Sequence, residues 1–244
     1  MISILYDRFK YLSEKGSVYI YSDPHFGDTD CFEFRKANNK LPEGITTIEE
    51  LDEYQIRSIN SVVNKNDTLI ILGDIGDISK VSKLKAGYKV LLLGNHDGGA
   101  SNYKRTTIDV TALKIEMAKN ARVPVEYFLD NSETKKHIIW DTKLFDEVYA
   151  GPLMISDKIL LSHEPIIPCP DYFVNLCGHV HAKEHLFEVE GHRYYNFCAE
   201  AIDYKPVSLG KLIKEGLLSK VKDIHRVTID GAIIRKSKRE KKTV

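Results

Sequence analysis

Seven side chains in this sequence have the types and the placing to hold metal: Asp23, His25, Asp74, Asn95, His163, His179 and His181. Imidazole nitrogens with carboxylate and amide oxygens, and no thiolate, suit manganese, iron, zinc, nickel or cobalt better than calcium or magnesium alone. A catalytic cation uses three or four protein ligands and keeps one position open for water. Seven donors therefore exceed one ion's needs and imply two divalent transition-metal ions that share a carboxylate. Asp74 is placed for the shared position, because it leaves the central expected strand of the N-terminal half. Gly73 and Gly94 let backbone come close to a cation where a side chain would obstruct it.

The elements that must hold these residues follow from the apolar pattern. Ser17 to Tyr21 is rich in strand formers and ends at Ser22-Asp23-Pro24-His25, because Pro24 cannot continue a ladder. Gly27 to Thr46 is polar and irregular, and is expected to be a long loop beside the site. Thr47-Ile48-Glu49-Glu50 reads as a capping box, with Ile56, Ile59 and Val63 on one helical face and an end near Asn64 to Asn66. Thr68 to Leu72 and Tyr88 to Leu93 are apolar runs that suit strands buried on both faces, with a short helical segment at Val81 to Lys85 between them. Alternating strands and helices predict parallel pairing by right-handed crossovers. The three polar clusters of this half, after Tyr21, Leu72 and Leu93, then leave one edge of one sheet, outside the carboxyl ends of its strands.

The second half holds more strands: His137 to Trp140, Val148 to Ile155, Lys158 to Ser162, Phe173 to Cys177, His185 to Val189 and Arg193 to Cys198. Their short links predict a second, mixed or antiparallel sheet. His163-Glu164-Pro165 and Gly178-His179-Val180-His181 follow two of these strands. Ser208 to Leu218 reads as a helix capped by Ser208, and Ile224 to Ile234 as a closing hairpin around Asp230-Gly231.

Composition narrows the function classes. The chain has 244 residues, 35 Lys and Arg against 35 Asp and Glu, and 43% hydrophobic residues. It has no overall charge with which to coat nucleic acid or an anionic membrane. Its apolar runs are too short to span a bilayer, and its N-terminus lacks the apolar core of a signal peptide, so a cytoplasmic protein is expected. Cys31, Cys169, Cys177 and Cys198 form no C-x-x-C pair and read as reduced packing residues. The C-terminal run Arg235 to Lys242 carries six basic residues and one acid. It reads as a solvated tail over 235–244 after a domain over 1–234, with a nucleic-acid contact as the sharper alternative.

In order, the segments SDPH, LGDIGD, GNHD, SHEP and GHVH resemble the calcineurin-like metallophosphoesterase superfamily, whose pattern runs D-x-H, G-D, G-N-H-[DE], H, G-H-x-H. Singly each is an ordinary turn or strand end; together, from Ser17 to Ile202, they are specific. The resemblance implies an α/β fold, a two-sheet αββα sandwich. It further implies that one cation would take Asp23, His25, Asp74 and His181, and the other Asp74, Asn95, His163 and His179. His96 matches the histidine that faces substrate and protonates or stabilises the leaving oxygen. Asp77 matches an acid that orients this histidine in many phosphatase members, and Asp97 would hold the loop presenting Asn95 and His96. Asp28 departs from the pattern, since similar small members often carry histidine there.

The expected function is hydrolysis of a phosphate ester, with a hydroxide shared by two cations attacking phosphorus in line. Manganese heads the expected metals, and a phosphodiester of a small molecule or nucleotide heads the expected substrates. Phosphomonoesterase and nuclease activities come next, and a binding scaffold without catalysis last, because no ligand has been lost.

Overall fold

The structure, a computed structural model, describes residues 16–97, 104–109, 127–129, 136–141, 144–156 and 158–222. The expected hairpin at Ile224 to Ile234 and the basic tail lie outside them. In chain order the elements begin with β1 (Val18–Tyr21), α1 (Thr29–Ala37), α2 (Ile48–Val62) and β2 (Thr68–Ile71). A 3-10 turn (Ile78–Lys83) leads to β3 (Tyr88–Leu92), then β4 (Lys104–Asp109), β5 (Tyr127–Leu129), β6 (Lys136–Asp141) and β7 (Glu147–Tyr149). Next come β8 (Leu153–Met154), β9 (Ile159–Leu161), β10 (Val174–Cys177), β11 (Leu186–Val189) and β12 (His192–Asn196). A second 3-10 turn (Ala199–Ile202), β13 (Val207–Ser208) and α3 (Leu209–Lys214) follow.

Two five-stranded sheets carry the site. The first has the order β13-β1-β2-β3-β7, with β1, β2, β3 and β7 parallel and β13 antiparallel at the edge. Its inner strands TLII and YKVLL are the two apolar runs, buried because both faces are covered. The second has the order β11-β12-β10-β9-β8; β10 is parallel to both neighbours, and both edge strands are antiparallel. One apolar core joins the sheets, from Ile20, Ile70 and Leu91 of the first to Leu161, Leu176 and Tyr195 of the second. The mixed α/β architecture with two sheets is the one the resemblance implies. β4, β6 and β5 form a separate antiparallel sheet.

Two expectations are corrected. The stretch Gly27 to Thr46 is not all loop, because Thr29–Ala37 is helical and the Asp28 carboxylate caps it, accepting from Cys31 N at 3.0 Å. Its inward face is Cys31, Phe32 and Arg35, and a charged residue in an apolar position hides the helical period. Val148 to Ile155 is not one strand: it breaks at Ala150-Gly151-Pro152, where the chain leaves β7 in the first sheet for β8 in the second. Pro152 has no N–H for a ladder. The capping box on α2 forms as expected, with Glu50 N donating to Thr47 Oγ1 at 3.2 Å and Thr47 N to Glu50 Oε2 at 3.1 Å.

Candidate metal centre

All seven candidate donors leave the carboxyl ends of parallel strands. Asp23 and His25 follow β1, Asp74 follows β2, Asn95 follows β3, His163 follows β9, and His179 and His181 follow β10. Five of them, Asp23, His25, Asp74, His179 and His181, have positive φ between 46° and 68°. Asp and His tolerate this left-handed region better than branched residues, yet each such position costs roughly 1–3 kcal/mol and persists only where its surroundings hold it. Those surroundings are backbone bonds between the loops. Asp23 N donates to Gly73 O at 3.1 Å, His25 N to Asp74 O at 3.0 Å, and Gly178 N to His163 O at 2.8 Å.

The side chains converge on Asp74. Its Oδ2 lies 3.5 Å from His25 Nε2 and 3.3 Å from His163 Nε2. Asp23 Oδ1 lies 4.0 Å from His25 Nε2 and 3.5 Å from His181 Nε2. Asn95 Oδ1 lies 2.8 Å from His163 Nε2 and 3.0 Å from His179 Nδ1. Asp23, His25 and Asp74 form one compact group of donors, and Asp74, His163 and His179 another.

Three of the four imidazoles have their tautomer fixed from behind. His25 Nδ1 meets Asp28 Oδ2, His181 Nδ1 meets Glu200 Oε1 and His163 Nδ1 meets Leu72 O, each at 2.7 Å. A carbonyl or carboxylate only accepts, so Nδ1 carries the proton and Nε2 offers a lone pair to the centre. The His163 lone pair then faces the Asn95 oxygen, and two acceptors 2.8 Å apart need a proton or a cation between them. Without a cation the proton takes that place: burial pushes His163 down, but the Asp74 and Asp23 carboxylates outweigh it and raise it to about 9. Burial likewise pushes Asp74 up, while His163, the His96 amide and His25 hold it below the usual carboxylate range. Asp23 Oδ1 and His25 Nε2 are buried and have no hydrogen-bond partner. Orphaned lone pairs on a carboxylate and an imidazole, pointing at a common space, fit a divalent cation.

Backbone crowding makes the convergence possible. A Cβ on Gly94 would overlap Asp74 Oδ1, and one on Gly178 would overlap Asp23 Oδ2 and Ser22 Oγ. Asp97 holds the loop of Asn95 and His96, as expected, and also ties it to the Asp74 loop. Its Oδ2 accepts from Asp74 N and Gly94 N, both at 2.8 Å, and its Oδ1 from Ile75 N at 2.9 Å.

His96 lies exposed at the mouth, its ring 5.4 Å from that of His25 and its amide donating to Asp74 Oδ1 at 2.9 Å. Asp77 does not hold it. The Asp77 carboxylate is exposed and caps the 3-10 turn, accepting from Ser79 N at 3.0 Å. A cleft of about 400 Å³ opens beside the second donor group, lined by Leu93, Asn95, Pro152, His163, Glu164 and Ile166 among others. Among the described residues that line it there is no Lys or Arg.

Sequence patterning missed Arg35, Gln55 and Glu200. The Arg35 guanidinium is fully buried, donating to Glu200 Oε2 at 3.1 Å, Asp23 O at 2.6 Å and Pro24 O at 3.2 Å. Gln55 Nε2 also donates to Pro24 O, at 3.0 Å. Glu200 lies on the 3-10 turn Ala199–Ile202, outside all five motifs, and carried no local signal. All four cysteines are buried and unpaired, as expected. Among the described residues no helix is long and apolar enough to cross a membrane.

Residues 16–190 match the family described as calcineurin-like phosphoesterase. The Gene 66 protein of Mycobacterium phage L5 is 34% identical over 90 residues, which cover 34% of this chain and 40% of that protein. A solved protein of unknown function from Aquifex aeolicus aligns over 82% of this chain and 99% of its own, with a TM-score of 0.49 and 21% identity. A single mutant of Vps29 from Entamoeba histolytica aligns over 73% of this chain and 72% of its own, with a TM-score of 0.30 and 14% identity. With five ordered motifs at strand ends and a family match over most of its length, the chain belongs to the calcineurin-like phosphoesterases, a family of metal-dependent phosphoesterases.

Proposed function

We propose that this chain hydrolyses phosphodiesters with two divalent transition-metal ions, manganese foremost. Asp23, His25, Asp74 and His181 would hold one, and Asp74, Asn95, His163 and His179 the other. The observation that carries the reading is the position of Asp74 Oδ2, within 3.5 Å of His25 Nε2 on one side and 3.3 Å of His163 Nε2 on the other. Bound there, such cations neutralise phosphate oxygens and make an attacking water acidic enough to ionise near neutral pH.

The chain's own groups do the rest. His96, exposed above the His25 ring, is within the rim where a leaving oxygen would emerge, and its imidazole supplies the proton or stabilises the charge. Its backbone N–H stays on Asp74, which fixes the ring's origin relative to the donors. The cleft beside Asn95 and His163 gives room for a second ester group. A diester bears one negative charge fewer than a monoester, and the described part of the lining, which holds no Lys or Arg, favours the less charged substrate. The uncharged whole chain supports a small or nucleotide ester over long nucleic acid.

Turnover of a chromogenic phosphodiester with Mn²⁺ tests the reading. Asp74→Asn is expected to lose metal and activity together. His96→Ala is expected to keep its metal and lose kcat by about 10²–10⁴-fold. Equal turnover in wild type and both variants contradicts an enzymatic site here, and faster turnover of the matching monoester reassigns the chain to the phosphatases.

A further inference from the structure

The two halves of the centre are backed differently. Behind the Asp23–His25–Asp74–His181 half stand two carboxylates, Asp28 on His25 and Glu200 on His181, each at 2.7 Å. Behind the other half, His163 meets a neutral carbonyl, that of Leu72, and His179 turns its Nδ1 to the Asn95 amide. We propose that Asp28 and Glu200 are positioning residues that make the Asp23–His25–Asp74–His181 half the tighter cation site, the other half exchanging its cation more readily. This rests on the two-cation reading above.

Three physical differences favour the first half. A carboxylate on the far nitrogen fixes the imidazole's orientation and makes its other nitrogen a stronger donor, which a neutral carbonyl does less well. Charge runs the same way. Asp23 and Asp74 are ligands of the first cation, with Asp28 and Glu200 behind it, opposed by Arg35 on Glu200 and by Lys40 on the His181 carbonyl, whereas the second half has the shared Asp74 as its one carboxylate ligand and feels Asp23 only from the side. Rigidity is the third difference. Arg35 clamps Glu200 and the carbonyls of Asp23 and Pro24 into one unit. In the first half Asp23 and His25 are buried and His181 is half-buried; in the second His163 is buried, His179 half-buried and Asn95 exposed. Donors already in place lose less freedom when a cation arrives.

Stepwise Mn²⁺ titration of the chelator-stripped chain, followed by calorimetry and by the electron-spin signal of free Mn²⁺, tests this. Wild type is expected to bind in two steps, the first tighter than the second by about tenfold or more. Asp28→Asn and Glu200→Gln should each weaken the first step by about 10–100-fold and leave the second nearly unchanged. His163→Ala should remove the second step and spare the first. Asparagine is as good a helix N-cap as aspartate, so Asp28→Asn keeps α1 and the melting temperature of the stripped chain. It carries the test alone where Glu200→Gln does not fold. Two equal steps in wild type, an unaltered first step in Asp28→Asn, or equal weakening of both steps overturns the proposal. Uptake of two equivalent Mn²⁺ overturns this asymmetry alone, whereas uptake of none overturns the two-cation reading with it.

Discussion

Glu200 joins the stability of the chain to its acid tolerance. Burial raises its carboxyl, but Arg35 and His181 outweigh burial and hold it at about 2 against an ordinary 4.5. A depressed carboxyl contributes stability above its unfolded value and loses it as pH falls through the folded one. For a shift of this size, the contribution is about 3 kcal/mol, lost between about pH 4.5 and pH 2. Denaturant midpoints of the stripped chain across that window should therefore fall steeply in wild type and more shallowly in Glu200→Gln, which starts lower because Arg35 is left without its counter-charge. Gly94 makes a different prediction. A methyl group there meets Asp74 Oδ1, so Gly94→Ala should lose Mn²⁺ binding with Asp74 itself intact. Normal Mn²⁺ uptake by that variant, measured on purified protein, contradicts the crowding that brings β2 and β3 loops together.

Among the elements, strands and α2 were legible because their residues repeat a simple period. TLII and YKVLL read as strands because both faces are buried, and Thr47 with Glu50 marks a helix start by its own chemistry. The motif residues were legible as a set because each follows such a strand directly. What patterning missed depends on polar burial. Arg35 occupies the inward face of α1, where the period calls for an apolar residue, and Glu200 lies on a 3-10 turn with no repeat. Their value comes from each other across 165 positions of sequence, which no local window contains. Two substitutions separate helix stability from loop tethering. Thr47→Ala should cost about 1 kcal/mol in unfolding free energy and leave turnover unchanged. Asp97→Ala removes the acceptor of three amides on the Asp74 and Gly94 loops, so it should cut turnover and metal uptake as well. Loss of activity in Thr47→Ala, or full metal uptake in Asp97→Ala, contradicts this division.

At the scale of the whole molecule, two sheets from separate halves of the chain each bring parallel strand ends to one edge, and a shared apolar core holds those edges together. Neither sheet has a complete donor set: β1, β2 and β3 deliver Asp23, His25, Asp74 and Asn95, and β9 and β10 deliver His163, His179 and His181. A parallel backbone β-bridge between Ser22 and Cys198 and the bond from His179 N to Asp23 Oδ2 at 3.0 Å join them directly at the centre. The most direct check of a paired centre is crystallographic. Anomalous scattering from crystals of the Mn²⁺-loaded chain should show two peaks flanking Asp74 Oδ2, roughly 3.5–4 Å apart. A single peak, or manganese bound away from Asp74, contradicts it.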